Sequence, residues 1–251
     1  MVLRPTLLHR GNNLKQKNMR SLILLFTFVV VISPPALSQE LQRMGGGGVT
    51  IGYGFLDVSA LHRFTPSAPS FSNSHLLIGG EGHGFIGRLV VGGAGQGIIA
   101  NTVQTDSLEV SLGGGMGTFD LGYLLVSKDK MKIFPMLGIG SGGYGISISK
   151  NHNVSLAKVA EDPAMEIRIN KANFIVDLSI NVNFIPLLTE DEDDDRDLGG
   201  PMVGFKAGAL LSPKGTNWSY TGGDVTGGPA FGMNMFYFKM VVGGFGGKKK
   251  K

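Results

Sequence analysis

The sequence predicts an all-β protein, an antiparallel up-and-down β-barrel of about 8 to 10 strands preceded by a cleaved signal peptide. Three observations indicate this fold class. Apolar and polar residues alternate along many segments, which is the period of a strand. After residue 38 there is no run of 18 apolar residues and no long segment with a 3.6-residue period. The 40 glycines recur as short tracts inside the alternating segments. A helical membrane protein is therefore excluded, and an α/β enzyme is disfavoured.

The clearest alternation lies in 174–184, where every even position is apolar and most odd positions are polar. Phe174 and Phe184 bracket aliphatic residues, and ten tilted strand residues span about 25 Å, the height of the apolar band of a membrane barrel. The sequence therefore predicts a bacterial outer-membrane location, with a periplasmic or secreted location as the alternative. Residues 165–169 also alternate, and the short link 170–173 predicts that the two segments form a hairpin.

The remaining strands follow in order along the chain. Residues 49–61 form one strand, 65–74 a loop, and the similar segments 76–86 and 89–99 two adjacent strands. A hairpin is expected from 107–126 and 131–149, then a strand at 202–211, a loop at 212–228 and a final strand at 231–245. Within 107–126 and 131–149 the apolar phase changes across a glycine tract. This change predicts a bulge, which would place Glu109 and Asp120 together on the polar face.

The first 38 residues have the features of a secretory signal peptide. Arg20 precedes an apolar run at 22–32, and a small-x-small site ends at Ser38. Met19 is an alternative start, which would make 1–18 an upstream extension. The predicted organisation is signal peptide 1–38, barrel 39–247 and basic tail 248–251. Residues 1–38 carry five of the 23 basic side chains and no acid, so 18 basic groups remain against 19 acidic ones. The high isoelectric point is therefore no evidence for nucleic-acid binding. The absence of cysteine excludes disulfides, thiolate metal sites, a cysteine nucleophile and a lipoprotein anchor.

The motifs that could carry chemistry are weak. The pattern G-x-G-x-x-G at 138–143 is followed by a predicted strand and not by the helix that nucleotide binding needs. The acidic run 190–197 predicts a solvated loop, with weak binding of a divalent cation as an alternative, because Arg196 replaces the EF-hand glycine and the terminal glutamate is missing. No metal-ligand spacing links the histidines His62, His75, His83 and His152. The sequence therefore assigns no catalytic, cofactor or metal residue, and the protein is expected not to be an enzyme. The polar face is expected to form a hydrogen-bonded network filling the lumen, with Glu109, Asp120, Glu166, Arg168, Asp177 and Lys239 as members.

Four short motifs carry a resemblance to a known class. They are 120–123 (DLGY), 134–140 (FPMLGIG), 205–208 (FKAG) and 242–245 (VGGF). With them the chain resembles glycine-rich outer-membrane β-barrel proteins of uncharacterised function. The resemblance implies the barrel fold over the whole mature chain and brings no functional residue with it. The chain departs from the pattern at its end, because a glycine and lysine segment follows Phe245.

The predicted function is a structural, surface-interaction or narrow-channel role without catalysis. The expected partners are outer-membrane lipid and an extracellular ligand bound through the longer loops. The alternative is a soluble exported barrel whose apolar rows face inward around a small hydrophobic ligand. Alternation alone does not separate the two, because inverting the barrel exchanges its faces without changing the sequence.

Overall fold

A computed structural model of the chain describes residues 43–62, 71–106, 108–128, 130–150, 166–187, 189–190, 197–220 and 223–248. All of them belong to one compact unit, Leu41–Lys251. The predicted signal peptide, the alternative start at Met19 and the end of the tail lie outside the described residues. Lys248, which the sequence assigned to the tail, is the last residue of a strand.

The described part of the chain is almost entirely β-structure. Its strands, with one short helix α1 at Ser59–His62, are β1 Arg43–Leu56, β2 Ser74–Ile86, β3 Leu89–Gln104, β4 Leu108–Tyr123, β5 Val126–Lys128, β6 Met131–Lys150, β7 Glu166–Phe184, β8 Thr189–Glu190, β9 Asp197–Leu211, β10 Trp218–Tyr220, β11 Gly223–Val225 and β12 Met235–Lys248. Within these residues no helix has the length and apolar character needed to cross a membrane.

Eight of these strands form a closed antiparallel ring, in the order β1, β2, β3, β4, β6, β7, β9, β12. The ring closes where β12 pairs with β1. The stagger of the ring is seen by moving from Ile51 to the residue opposite it on each neighbouring strand in turn. Through β12 and β9 this path reaches Val182 on β7. Followed the other way through β2, β3, β4 and β6, it reaches Ala172, ten residues away on the same strand. This stagger tilts the strands by about 40° and leaves an interior just wide enough for side chains. The prediction of an antiparallel barrel of about 8 to 10 strands is confirmed.

The two ends of the ring differ. At the loop end, the strands are joined by 57–73, 105–107, 151–165 and 212–234. At the turn end they are joined by 87–88, 124–130 and 185–196, and the first and last strands have their free ends there. The link between β2 and β3 is only two residues long, and Gly87 takes a φ of 62°, a left-handed conformation that favours glycine. The similar segments 76–86 and 89–99 are therefore adjacent strands, as predicted.

The apolar rows face outward. Phe174 and Phe184 are 57% and 40% exposed, whereas Asp177 and Asn181 between them are buried inside the ring. Large apolar side chains are exposed around the whole barrel, including Tyr53, Phe55, Ile78, Leu89, Phe119, Leu137, Ile139, Phe205, Phe236 and Phe238. Such a surface would be unfavourable in water and is expected in lipid. The alternative of a soluble barrel with its apolar rows inward is therefore wrong.

The predicted hairpin at 165–184 is wrong as well. β7 runs without interruption, from Glu166 opposite Ser149 to Phe184 opposite Met131. The link 170–173 lies in the middle of this strand and not in a turn. The apolar phase does change across 170–173, but the strand does not turn there. Ile169 and Ile175 point into the barrel, whereas Phe174 points outward into the apolar band.

Apolar residues that change face in this way also account for the change of apolar phase across the glycine tracts of β4 and β6. Their pairing is continuous from Leu108 opposite Lys150 to Gly122 opposite Met136, so neither strand contains the predicted bulge. Val110 and Leu112 face inward, and Phe119 and Leu121 face outward. Near the loop end the apolar residues turn into the barrel, where segments of the loops cover them. An irregularity does occur on the neighbouring strand, between Ile98 and Asn101 of β3.

Candidate functional site in the barrel lumen

The lumen contains three layers of side chains. An apolar loop-end cluster fills the half nearest the loops; its members include Leu56, Leu61, Phe71, Leu77, Ile98, Leu112, Tyr144, Ile146, Ile175, Leu210, Trp218, Phe231, Met233, Met235 and Tyr237. An apolar turn-end cluster fills the other end with Phe85, Val90, Leu124, Phe134, Met136, Ile185, Met202, Val241 and Phe245. Between the clusters lies a charged layer, termed here the central network. It consists of Glu81, Asp120, Asp177, Lys206, Tyr237 and Lys239.

Lys206 is at the centre of the network. Its Nζ atom lies 3.4 Å from Asp177 Oδ2, 3.6 Å from Asp120 Oδ2 and 3.8 Å from Glu81 Oε2. The Lys206 side chain is only 1% exposed. Alternation places it there, because Phe205 and Ala207 on either side point outward. A single ammonium group therefore joins carboxylates from three different strands.

Lys239 and Tyr237 complete the network from β12. Lys239 Nζ lies 4.0 Å from Glu81 Oε2 and 4.4 Å from the centre of the Tyr237 ring. The Tyr237 hydroxyl donates a hydrogen bond to Asp177, with its oxygen 2.7 Å from Oδ1 and 2.9 Å from Oδ2. Three carboxylates thus face two ammonium groups in a space shut off from water. Such charges are costly to bury, and each depends on its partners.

Amides and histidines extend the polar layer. Asn183 Nδ2 lies 2.9 Å from His83 Nε2, and the His83 ring contacts Phe85 edge-on with centroids 5.2 Å apart. Gln96 Nε2 lies 3.5 Å from the Thr50 hydroxyl. Beside the network, a cavity of about 10 Å³ is lined by Gln96, Asp177 and other residues, a volume that suits one water molecule.

The loop end is closed by segments that fold into the barrel. Trp218 of β10 stacks on Phe231, with ring centroids 6.4 Å apart, and its indole N–H donates to the Pro229 carbonyl over 2.9 Å. Lys171 of β7 places its ammonium 5.7 Å from the centre of the Trp218 ring. The sequence treated 212–228 as a loop only, but it holds the hairpin of β10 and β11, which pairs with the end of β7.

The structure brings together only half of the residues expected on the polar face. Asp120, Asp177 and Lys239 belong to the central network, as predicted. Glu109, Glu166 and Arg168 do not, because they occupy outward positions near the loop end. There, Arg168 pairs with Glu166 at 3.6 Å, and the Ser147 hydroxyl donates to the same carboxylate. Glu81, Lys206 and Tyr237 of the network were not predicted from the sequence. Lys206 carried a signal, because it occupies an inward position between two outward apolar residues of its strand.

The histidines, the glycine pattern and the acidic run form no site in the described residues. His75 and His83 are buried in the lumen, and His62 ends α1. The 138–143 glycine pattern lies inside β6. Over the residues that the structure describes, no three His, Asp or Glu side chains are arranged to hold a metal ion. Of the acidic run, Glu190 lies in β8 and Asp197 begins β9, while 191–196 lie outside the described residues, so divalent-cation binding stays a prediction.

Replacing Tyr237 with phenylalanine tests the hydrogen bonds to Asp177. The variant removes the only atom that donates them and keeps the ring. Because a buried carboxylate then loses a donor, we expect the free energy of unfolding to fall by about 1 to 3 kcal/mol. Urea titration of the protein in detergent micelles measures this change. Tyr53→Phe, on the exposed outer face of β1, is the matched control and should stay within about 0.5 kcal/mol of wild type. Equal stability of both variants would contradict the assigned role of the hydroxyl.

A closed eight-stranded antiparallel barrel with an apolar exterior and a filled lumen that buries a charged layer at its centre is a transmembrane β-barrel of the outer-membrane type. Its place is therefore the bacterial outer membrane. No protein-family model matches the chain, and no curated protein matches it.

Solved structures show similarity at low sequence identity. The attachment invasion locus protein Ail of Yersinia pestis aligns with a TM-score of 0.40 and 8% identity, covering 84% of this chain and 100% of Ail. The outer membrane protease OmpT of Escherichia coli aligns with a TM-score of 0.38 and 9% identity, covering 84% and 99%. The outer membrane protein AlkL aligns with a TM-score of 0.31 and 11% identity, covering 87% and 96%. Because all three scores are low, the fold assignment depends on the hydrogen-bond register of this chain itself.

Proposed function

We propose that this protein is a non-conducting outer-membrane barrel that serves a structural or surface-interaction role through its loop end. The observation that carries the proposal is the layered lumen, in which an apolar cluster closes each end of a buried ionic network. An ion crossing the lumen would have to displace buried aromatic side chains in both apolar clusters. A filled eight-stranded barrel leaves the surfaces at its ends as the regions open to partners.

The loop end is the better candidate for contact with a partner. Three of its four connections are long, and parts of two of them are anchored by buried side chains, including Phe71 and Trp218. Anchored loops present a defined surface, which lowers the entropic cost of binding. Exposed groups on that surface include Tyr220 of β10, which is 47% exposed.

The proposed role is also non-catalytic. The acid and base groups of the central network lie between the two apolar clusters, and all of them take part in ion pairs or hydrogen bonds with each other. A catalytic group must reach its substrate within hydrogen-bonding distance. Enclosed groups of this kind stabilise a fold and do not contact a substrate.

Recordings in planar lipid bilayers test the non-conducting role. We expect no conductance steps from the folded protein, because the lumen is filled from end to end. Folding must be verified in the same preparation by heat-modifiable migration on a detergent gel, which reports a closed barrel, and insertion by co-flotation of the protein with lipid vesicles. Stepwise currents that disappear after boiling would overturn the proposal and favour the narrow-channel role.

A further inference from the structure

A large hollow lies in the wall of the barrel. It has a volume of about 770 Å³ and extends over β4, β6 and β7, from the apolar band toward the loop end. Many of its lining residues occupy outward positions, since Gly115 and Gly117 share their face of β4 with the exposed Phe119. The hollow is therefore open to the membrane side of the wall. Its volume is in the range of pockets that bind small molecules.

Glycines form the floor of the hollow, and barrel closure does not require all of them. A Cβ atom at Gly117 would approach nothing closer than the Ala94 carbonyl oxygen, at 3.7 Å. At Gly115 the nearest atom would be the Gln96 carbonyl oxygen, at 3.2 Å. Phe119, Ile139 and Phe174 stand exposed beside this floor on the same three strands. The missing side chains thus create a groove between projecting apolar neighbours.

The groove has a polar and cationic end. Toward the loop end its lining changes from glycine to Ser111, Ser147 and Arg168. The charged residues that line it are Arg168 and Lys171, both cationic, and Lys171 directs its ammonium toward Trp218 on the lumen side. Arg168 is 64% exposed and uses one amino group for its pair with Glu166. Its guanidinium retains further donors that suit a phosphate.

We propose that this groove binds one phosphate-bearing lipid of the membrane, with acyl chain over the glycine floor and phosphate at Arg168. The surrounding solvent is lipid, so a hollow in the wall is filled by acyl chains. The cation placed where the apolar floor ends selects an anionic headgroup over a neutral one. The proposal depends on the membrane location but not on the non-conducting role, so the two can fail separately.

Native mass spectrometry of the detergent-extracted protein tests the proposal, with dioleoylphosphatidylglycerol and dioleoylphosphatidylcholine as competing probes. Wild type should retain one phosphatidylglycerol in preference to phosphatidylcholine. Gly117→Leu fills the groove and should lower retention about tenfold, because roughly two methylene contacts are lost. Gly82→Leu is the matched control, since Gly82 is exposed on the outer face of β2 outside the groove and has room for a side chain. It should retain lipid as wild type does.

Variants of Arg168 test the headgroup contact. Arg168→Gln should reduce the preference for phosphatidylglycerol about fivefold, and Arg168→Lys should keep most of it. All variants are first checked for heat-modifiable migration, so that a folding defect is recognised. Retention without headgroup preference in wild type, or equal retention by Gly117→Leu and Gly82→Leu, would overturn the proposal.

Discussion

Replacing Lys206 with methionine is expected to destabilise the barrel by about 3 to 5 kcal/mol, among the largest effects of any single substitution in this chain. Methionine has nearly the same length and fills the same space, so the change removes charge and little volume. Within the central network, Asp177, Asp120 and Glu81 would then face a single ammonium group, that of Lys239. Unpaired buried carboxylates must either lose their charge or admit water, and both outcomes weaken the fold. Urea titration in detergent micelles, followed by the heat-modifiable band, measures the loss.

A second substitution shows whether the effect is electrostatic. Asp177→Asn in the Lys206→Met background removes one of the uncompensated charges and should restore part of the lost stability. Lys128→Ala is the control for loss of a lysine, because Lys128 is exposed on β5 at the turn end. It should change stability by no more than about 0.5 kcal/mol. If Lys206→Met unfolds at the wild-type urea concentration, the ion pairs of the network do not hold the barrel together.

The sequence was enough to predict the exterior of the barrel. At 174–184, an alternation interrupted only by Ile175, with an aromatic residue at each end, indicated both a strand and its membrane contact. The structure confirms the exposed row. This prediction succeeded because that stretch contacts lipid on one side and polar lumen on the other. The period of two then maps directly onto the two environments.

The interior was harder to predict because the lumen is polar only in the middle. Near the loop end, Val110, Ile146 and Ile169 point inward into an apolar cluster. Along one strand the apolar residues therefore change face without any change of register. In the sequence, this change of face has the same pattern as a phase slip, which predicts a bulge. The cluster itself depends on distant loop residues, such as Phe71 and Phe231, whose contacts local patterns do not show.

The central network could be predicted only in part. Asp120, Asp177 and Lys239 were placed on the polar face by parity, and Lys206 obeys the same rule between two outward residues. The even or odd position of a residue in its strand gives the face of its side chain, but not the position of that side chain along the barrel axis. Whether carboxylates and lysines meet depends on the ten-residue stagger of the ring, which only the full register shows. Glu166 and Arg168 were assigned to the lumen for a different reason: near the loop end the apolar residues of β7 change face, so the polar residues between them point outward.

Gly48→Val is expected to prevent the ring from closing, the second large effect. Gly48 faces inward on β1 at the seam with β12, opposite Gly243. A Cβ atom there would collide with the Val242 carbonyl oxygen and lie 2.6 Å from its carbon and 2.7 Å from Gly243 Cα. These are backbone atoms of the closing strand and cannot rotate away, so the strands must separate. We expect a cost of roughly 3 kcal/mol or more and loss of the heat-modifiable band.

Gly244→Val is the matched control, because Gly244 is an exposed glycine of the same seam with open space around its Cβ position. It should fold and migrate like wild type. A Gly48→Val protein that keeps the heat-modifiable band would show that the seam does not need the close approach of its two glycines.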